Sequence, residues 1–305
     1  MSAPLLEIQD LSVEYVTEAR TVRAVDRVSF SIAEREVFGL AGESGCGKST
    51  IANAILRLLR DPAVISGGSV RFAGTDVLAL NAEQLREFRW RQVAMVFQSA
   101  MNSLNPVMTI GDQIVDIFTT HDGVSKKNAL ARAGDLLDLV GIPRDRLRSY
   151  PHQLSGGMRQ RVVIAMATAL RPPLLIMDEP TTALDVVVQQ EIMAQIKDLQ
   201  RELGFAILFI THDMSLMVEL SDRMAVMYAG RFVETARSDE IFDTPEHPYT
   251  RALMNAFPPM SGPRTRLQGL GEGVRFRDIP DLERLTPTHW VAPSDDDSLT
   301  MEAIA

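Results

Sequence analysis

One glycine-rich stretch, Gly42–Thr50, constrains this chain more than any other part of it. It reads Gly-Glu-Ser-Gly-Cys-Gly-Lys-Ser-Thr, which fits the spacing G-x-x-x-x-G-K-[ST] of a phosphate-binding loop. The apolar residues 37–41 before it predict a strand, and residues 51–59 after it predict a helix. This order places the stretch, called the phosphate loop below, at a helix N-terminus, where backbone N–H groups and the helix dipole attract an anion.

The residue types in the phosphate loop suit a nucleoside triphosphate. Glycines let the backbone approach phosphate oxygens, Lys48 is placed to reach the β- and γ-phosphates, and the Ser49 hydroxyl is placed to hold Mg²⁺. The alternative is a glycine-rich turn with an incidental lysine, which leaves the flanking strand and helix unexplained. We therefore expect nucleotide contacts at Gly42, Ser44, Gly45, Cys46, Gly47, Lys48, Ser49 and Thr50.

Composition argues against several other classes of protein, although it leaves a local basic patch open. The chain has 305 residues and a net charge of -9, which argues against a general nucleic-acid binder, because that class carries a basic face. Its one cysteine, Cys46, excludes an internal disulfide and a cysteine metal cluster, and it fits a reducing, cytosolic compartment. We expect neither a signal peptide nor a membrane span, since no suitable apolar run is present. Any membrane role must therefore come through a partner.

Cys46 itself predicts a reactive thiol. It lies within the phosphate loop, next to a predicted helix N-terminus, and this environment lowers the pKa of a thiol. Alkylation is then expected to block nucleotide binding, and bound nucleotide is expected to protect the thiol. An inert small residue is the alternative that the sequence leaves open.

Hydrophobic periodicity predicts an α/β fold with a mainly parallel sheet. Near the start, residues 5–16 and 24–32 alternate between apolar and polar, which predicts an antiparallel, half-exposed pair with residues 5–16 as an edge strand. Gly67 and Gly68 predict a turn that precedes a strand at 69–72.

The middle of the chain combines a long loop with helices and buried strands. Residues 99–111 contain Asn, Ser, Pro and Gly and predict a long loop of functional interest. Residues 112–140 carry a helical period. The sequence then predicts a helix from an N-cap at Ser155 to Leu170, buried strands at 174–179 and 206–210, a helix at 187–203 and a hairpin at 223–234. The composition shifts near residue 237. After this point the sequence predicts a short helix at 249–257 and an acidic end at 294–298.

Predicted buried strands end in polar side chains. Asp178 and Glu179 end one strand, Gln98 ends a second and His212 ends a third. Because ligands bind beyond the carboxyl ends of parallel strands, Asp178 is predicted to hold Mg²⁺ and Glu179 to orient or deprotonate a water. Taken singly, each has a structural alternative: a helix cap, a surface amide or a structural histidine. Tyr15, at the end of the first strand, either stacks on a nucleotide base or is an ordinary core or surface residue.

These motifs together resemble the ATP-binding subunit of ABC transporters over roughly residues 5–260. The resemblance identifies Tyr15 as the aromatic residue that stacks on adenine. The matching segments are Gly42–Thr50 for Walker A, Gln98 for the Q-loop, Leu154–Gln160 (Leu-Ser-Gly-Gly-Met-Arg-Gln) for the ABC signature, Leu174–Glu179 for Walker B, Thr182–Asp185 for the D-loop and His212 for the switch histidine.

The resemblance implies roles for single residues. Glu179 polarises the water that attacks ATP, His212 holds the γ-phosphate, and Gln98 contacts Mg²⁺ or the water. With Lys48, these residues form the expected catalytic set. The expected ligands of Mg²⁺ are Ser49, Gln98 and Asp178.

The resemblance also implies that two subunits share each ATP. Ser155, Gly156 and Gly157 of one subunit cover the ATP on Walker A of the other, and Asp185 belongs to the same nucleotide site. Residues 98–111 link this site to a transmembrane partner. Hydrolysis of ATP is then expected to drive motion in that partner.

One segment, Pro245–Leu253, resembles the region after the nucleotide-binding core of oligopeptide and dipeptide importers, as does 101–106. Such importers imply two transmembrane permease subunits, an extracytoplasmic substrate-binding protein and a second ABC ATPase, expected to be a paralogue, at the cytoplasmic face of the membrane. The cysteine-rich iron–sulfur motif of many members is absent from the sequence, and the tail after about 262 departs from their pattern. Relatives with the same architecture move oligosaccharides or nickel, so these cargoes stay alternatives.

The implied architecture is a P-loop NTPase (RecA-like) core with an antiparallel β subdomain, a helical signature subdomain and a C-terminal extension. We expect a nucleotide-binding domain at 1–237, with the helical subdomain inserted at about 99–165, and the extension at 238–305. A soluble ABC ATPase of DNA repair or translation would need a long coiled-coil insertion or a second cassette, and the sequence has neither. The His-Pro-Tyr-Thr segment argues against an exporter component.

Overall fold

The computed structural model describes residues 3–98, 103–181, 184–255 and 279–294. The chain divides into two compact units, one formed by residues 1–79 and 209–305 and the other by residues 80–208. The phosphate loop belongs to the first unit and the signature stretch to the second. Several predicted features fall outside the described residues, namely Thr182 and Ala183, residues 99–102 of the predicted loop, the end of the helix at 249–257, and Asp295 to Ser298.

A four-stranded antiparallel sheet begins the first unit. Its strands are β1 (Leu6–Val16), β2 (Thr21–Ile32), β4 (Ala63–Phe72) and β5 (Thr75–Asp76). They lie in the order β2-β1-β4-β5, so β1 pairs on both sides and the prediction of an edge strand was wrong. Alternation of apolar and polar residues reports which face of a strand is buried, and it carries no information about which of its edges is paired.

Gly67 and Gly68 lie inside β4, where the sequence predicts a turn. Gly68 has a φ of +86°, and a Cβ there would lie 2.5 Å from the carbonyl group of Asp10. The register between β1 and β4 shifts at Ser12, opposite Gly67. The two glycines therefore mark a β-bulge, and the strand begins at Ala63, earlier than predicted.

The second sheet of the first unit includes the strand that leads into the phosphate loop. Its strands are β3 (Val37–Ala41), β9 (Arg223–Tyr228), β10 (Arg231–Arg237), β11 (Glu283–Arg284) and β12 (Trp290–Val291), in the order β11-β12-β10-β9-β3. The pair β3 and β9 is parallel, and the predicted hairpin of β9 and β10 is confirmed. The helices of this unit are α1 (Lys48–Ile55), α7 (Met214–Leu220), α8 (Ser238–Asp243) and α9 (Pro248–Asn255).

The second unit pairs two buried parallel strands and carries most of the helices. Its strands are β6 (Val93–Val96) and β7 (Leu174–Asp178). Its helices are α2 (Ala82–Arg91), α3 (Ile110–Asp122), α4 (Lys126–Leu139), α5 (Gly156–Thr168) and α6 (Val186–Leu203), with 3₁₀ turns at Arg144–Arg148 and Pro151–Gln153. The buried strand β8 (Ala206–Ile210) carries the chain from the second unit into the first.

The single helical period predicted for 112–140 corresponds to two helices. Gly123 ends α3 with a φ of +63°, and Ser125 caps α4 by accepting a hydrogen bond from the backbone N–H of Asn128. The helix α3 begins at Ile110, so the predicted loop is shorter at its end. No helix in the described ranges is both long and apolar enough to cross a membrane.

A buried carboxylate ties the C-terminal residues to β10. Glu234 is fully buried, and it accepts hydrogen bonds from the backbone N–H groups of Glu246 at 2.9 Å and His247 at 3.0 Å. His289 Nε2 lies 2.7 Å from Glu234 Oε1. Because a buried carboxylate without partners is very costly, these contacts hold two separate stretches of the extension against the same strand.

His247 gives this region a pH-dependent stability. Burial is the main cause that lowers its pKa from 6.5 to about 4; Glu234 opposes the shift and Arg251 adds to it. The unfolded chain therefore binds this proton below about pH 6.5, whereas the folded chain resists it until about pH 4. We expect the free energy of unfolding to fall over this window as pH falls, by about 3 kcal/mol at pH 4 from this residue.

The variant His247→Asn tests this origin of the acid sensitivity. The imidazole Nδ1 accepts a hydrogen bond from the backbone N–H of Tyr249 at 3.1 Å, and an asparagine oxygen can replace that acceptor without titrating. Urea unfolding between pH 4 and 7 should show a flatter stability profile for the variant. A profile as steep as that of the wild type would contradict the assignment.

Candidate nucleotide site

The phosphate loop has the predicted order of strand, loop and helix. It follows β3, and α1 begins at Lys48 with Gly47 as its N-cap. Among the described residues, no side chain caps α1, and its first turn contains no acidic residue. The N–H groups of that turn and the positive end of the helix dipole therefore face the loop uncompensated, which favours binding of an anion.

Two glycines of the loop are required by close approach of neighbouring backbone. Gly42 has a φ of +143°, and a Cβ there would lie 2.2 Å from the carbonyl oxygen of Met227. Gly47 has a φ of +114°, and its Cβ would lie 2.3 Å from the carbonyl oxygen of Ala24. At Gly45 nothing lies within 4 Å of the Cβ position. The loop is thus tightly packed at its two ends and open in the middle, where a ligand can reach the backbone.

Lys48 supplies a buried positive charge to the loop. Its side chain is almost fully buried, and Nζ donates hydrogen bonds to the carbonyl oxygens of Gly42 and Glu43, both at 2.7 Å. A third contact joins Nζ to Cys46 Sγ at 3.5 Å. Within the described residues these partners are all neutral, so the ammonium charge has no anionic partner. A phosphate bound beside it would meet that need.

The structure corrects the prediction for Cys46. Burial raises the pKa of its thiol, and this effect outweighs the opposing influence of the Lys48 ammonium group. The sequence places Cys46 near a helix N-terminus, but it does not show that the side chain is 7% exposed. The expectation of a lowered pKa was therefore wrong, and the thiol is closer to the inert alternative.

We expect Cys46 to react slowly with a small alkylating reagent such as iodoacetamide at pH 8. The raised pKa leaves little thiolate, and burial restricts access of the reagent. The rate should rise when the chain is unfolded in urea, because the raised pKa and the restricted access of the reagent then both disappear. Equal rates for folded and unfolded chain would contradict this account, and the chain has no other cysteine to confuse the measurement.

In the second unit, Gln98 and Glu179 come together. Gln98 Nε2 donates a hydrogen bond to Glu179 Oε2 at 2.7 Å. Asp178, which ends β7, is buried, and Glu179 is half-buried directly after it. The sequence places both Gln98 and Glu179 at strand ends, but it assigns Gln98 to Mg²⁺ or a water. The parallel pairing of β6 with β7 explains why the two side chains meet.

Glu179 also has an unusual backbone. Its φ of +46° lies in the left-handed region, which costs a residue other than glycine roughly 1 kcal/mol. Such conformations persist where the surroundings impose them, and they are frequent at active sites. The hydrogen bond from Gln98 orients the carboxylate that this backbone carries.

Ser155 of the signature stretch and Asp185 of the predicted D-loop are the N-cap residues of α5 and α6 in the second unit. Ser155 Oγ accepts a hydrogen bond from the backbone N–H of Met158 at 3.3 Å, which confirms the predicted N-cap. Asp185 Oδ1 accepts one from Val188 at 3.0 Å. A Cβ on Gly157 would lie 2.8 Å from Val188 Cγ1, so this glycine permits close packing of α5 on α6. Gly156 is half-buried beside it.

The other predicted site residues of the first unit have these positions. Tyr15 is half-buried in β1, opposite Val22. His212 is exposed just after β8, next to Asp213, which caps α7. Within the phosphate loop, Ser44 and Ser49 are exposed and Thr50 is half-buried. The functions assigned to these side chains stay predictions.

Tyr249 is a contact of the phosphate loop that the sequence analysis missed. The backbone N–H of Glu43 donates a hydrogen bond to the Tyr249 hydroxyl at 3.1 Å. The two residues are 206 positions apart, so no local pattern reveals the contact. The only local signal is the His-Pro-Tyr segment itself, and the resemblance of that segment indicates a subfamily without indicating a contact with the loop.

Comparisons with known proteins agree with this geometry. Residues 25–182 match the family of ABC transporters, and residues 233–279 match the C-terminal region of oligopeptide/dipeptide transporters. The chain is 46% identical over 272 residues to the dipeptide transport ATP-binding protein DppD of Haemophilus influenzae, which covers 88% of this chain and 82% of that protein. It is 46% identical over 257 residues to the oligopeptide transport ATP-binding protein OppD of Bacillus subtilis, which covers 83% of this chain and 72% of the relative.

Solved structures give the same fold. A dimeric ATP-binding cassette in a post-hydrolysis state, bound to ADP and phosphate, has a TM-score of 0.68 at 27% sequence identity and covers 76% of this chain and 98% of its own. The predicted α/β fold of a P-loop NTPase is therefore confirmed. The chain belongs to the ABC transporter family, as an ATP-binding, ATP-hydrolysing subunit with the C-terminal region found in oligopeptide/dipeptide transporters.

Proposed function

We propose that this chain hydrolyses ATP to power the import of oligopeptides or dipeptides. The observation that carries this proposal is the match of residues 233–279 to the C-terminal region of oligopeptide/dipeptide transporters, beside relatives named as dipeptide and oligopeptide transport ATP-binding proteins. Its partners are two transmembrane permease subunits, a substrate-binding protein outside the membrane and a second ABC ATPase, a paralogue of this chain. The chain itself lies at the cytoplasmic face of the cell membrane.

In this proposal the phosphate loop binds the phosphates of ATP. The uncapped N-terminus of α1, the open backbone at Gly45 and the buried charge of Lys48 support that role. Tyr15 stacks on the adenine base, and His212 holds the γ-phosphate. These two roles rest on the family resemblance and on the half-buried and exposed positions of the side chains.

Glu179 is the general base in this proposal. Its carboxylate accepts a proton from the attacking water, and the hydrogen bond from Gln98 holds it in orientation. A carboxylate in a strained backbone is a group whose position the fold imposes, which suits a reaction that depends on geometry. Gln98 then acts on the reaction through Glu179 as well as through any contact of its own.

Mg²⁺ is part of the proposal, and the donors fit it. The expected ligands Ser49, Gln98 and Asp178 present a hydroxyl, an amide and a carboxylate, all of which are oxygen donors of the kind that Mg²⁺ prefers. No group of three or more His, Cys, Asp or Glu side chains in the described ranges is placed to hold a metal ion. That is compatible with Mg²⁺ bound to ATP, since such ions take most of their ligands from phosphates and water. When bound, the ion neutralises charge on the phosphates.

Ser155, Gly156, Gly157 and Asp185 are proposed to serve the ATP of a facing ATPase subunit. Support comes from the family resemblance and from the exposed positions of Ser155 and Asp185, which cap the first turns of α5 and α6. The proposed nucleotide-binding domain spans 1–237, with the helical subdomain inserted at about 99–165, and the proposed C-terminal extension spans 238–305.

The test is purification of the tagged chain from its native membranes, followed by mass spectrometry. We expect two membrane subunits and a second ABC ATPase, together with a co-encoded binding protein whose bound ligand is a peptide. A binding protein loaded with an oligosaccharide or nickel would keep the importer and replace the cargo. Recovery with ribosomes or DNA and without membrane subunits would overturn the proposal.

A further inference from the structure

A residue of the C-terminal extension forms a hydrogen bond with one peptide group of the phosphate loop. The N–H of the peptide between Gly42 and Glu43 donates to the Tyr249 hydroxyl at 3.1 Å. The carbonyl oxygen of the same peptide, that of Gly42, accepts from Lys48 Nζ at 2.7 Å. This peptide is therefore held from both sides, by the nucleotide-binding lysine and by a residue outside the loop.

Tyr249 is itself held rigidly. Its side chain is fully buried, and its ring lies 4.8 Å from the ring of Tyr228 at an interplanar angle of 58°. Its backbone N–H donates to His247 Nδ1 at 3.1 Å. A buried ring with packed faces and a bonded backbone has little freedom to rotate, so the hydroxyl is presented at one point.

The support continues to Glu234 on β10. The backbone N–H of His247 donates to Glu234 Oε2, and His289 contacts the other carboxylate oxygen. Glu234, His247 and His289 are all less than 5% exposed. A continuous series of hydrogen bonds therefore runs from Glu234 through the extension to the phosphate loop, buried up to Tyr249 and part-buried at its last contact, with Glu43.

We propose that Tyr249 is a positioning residue for ATP binding, whose hydroxyl holds the Gly42–Glu43 peptide in the conformation that accepts phosphates. Glu234 supports it by holding the segment that carries it. A loop that is competent for only part of the time binds with an affinity reduced by that fraction. If Lys48 turns from the loop carbonyls to the phosphates, the hydrogen bond that the Glu43 N–H donates to the Tyr249 hydroxyl still restrains this peptide. The inference rests on the proposed nucleotide role of the loop and is independent of the cargo.

The variant Tyr249→Phe removes the hydroxyl and keeps the ring. We expect the Kd for ATP and for ADP, measured by direct binding to the purified chain, to rise about threefold to tenfold, the effect of one neutral hydrogen bond. In the assembled transporter, KM for ATP should rise with kcat nearly unchanged. Hydrogen exchange of the peptide that contains Glu43 should become faster.

The matched control is Thr250→Val. Thr250 is the neighbouring residue on α9, it is fully buried, and its hydroxyl has no hydrogen-bond partner among the described residues. This variant removes a buried hydroxyl from the same turn, so it should leave nucleotide affinity and exchange of the loop unchanged. Glu234→Gln is a second test: it should weaken nucleotide binding, and combining it with Tyr249→Phe should add little, because both act through one path.

Two results would overturn the inference. One is a Tyr249→Phe variant with wild-type nucleotide affinity and loop exchange, whatever its melting temperature, since that outcome leaves Tyr249 a role in stability only. The other is an equal loss of affinity in Thr250→Val, which would indicate general loosening of α9. If the wild type binds ATP but imports no peptide, the proposed function fails while this inference stands.

Discussion

Glu179→Gln is expected to leave ATP binding intact and to lower ATP turnover by about 10²- to 10⁴-fold. The amide has the shape of the carboxylate and can still accept the hydrogen bond from Gln98. It cannot take a proton from the attacking water. The binding groups of the phosphate loop are unchanged, so affinity for ATP should stay within about twofold, and the variant should accumulate in the ATP-bound state. The measurements are nucleotide binding and phosphate release by the chain assembled with its partners.

Glu202→Gln is the control for loss of one negative charge. Glu202 is exposed on α6 of the same unit, so its variant should turn over ATP at the wild-type rate. If Glu179→Gln also retained that rate, the role of general base would have to be assigned elsewhere. Loss of ATP binding in Glu179→Gln would equally contradict a purely catalytic role.

Gly47→Ala should abolish ATP binding and destabilise the chain. The new methyl group would lie 2.3 Å from the carbonyl oxygen of Ala24 and 2.8 Å from Met227 Cε, at a φ of +114° that alanine rarely adopts. The backbone must move to relieve both problems, and α1 begins at the next residue. We expect a loss of roughly 3 kcal/mol in the free energy of unfolding and at least about a hundredfold loss of ATP affinity.

Gly45→Ala separates the effect of a positive φ from the effect of a steric clash. Gly45 has a φ of +81°, but nothing lies within 4 Å of its Cβ position. Without nucleotide, the free energy of unfolding of this variant should fall by roughly 1 kcal/mol, which is the cost of placing alanine in that backbone conformation. Urea unfolding of the two variants measures the difference. Equal destabilisation of the Gly47→Ala and Gly45→Ala variants would show that the contact with Ala24 does not contribute to the loss of stability.

Local features of the site could be predicted from the sequence because neighbouring residues determine them. The phosphate loop needs glycine at positions 42 and 47, and Ser155 caps α5, which begins at the next residue. Short sequence patterns therefore identify both the loop and the helix cap. Buried strands such as β7 and β8 appear as short apolar runs with polar ends. The motifs thus indicated the chemistry before any contact was known.

Features that depend on distant contacts could not be predicted in this way. Burial of Cys46 reverses the direction expected for its pKa, and burial is decided by the packing of the whole unit. The hydrogen bond between Gln98 and Glu179 joins residues 81 positions apart. The contact of Tyr249 with Glu43 spans still more of the chain. Pairing of β1 on both edges likewise depends on β4, which follows the phosphate loop in sequence.

Uptake of a labelled dipeptide or oligopeptide by vesicles tests the central claim most directly. The vesicles would contain the two permease subunits and both ATPases, with the binding protein outside and ATP inside. We predict accumulation that requires ATP and disappears when this chain carries Glu179→Gln. ATP hydrolysis by the complete assembly without uptake of any peptide, or uptake that persists with Glu179→Gln, would contradict the account.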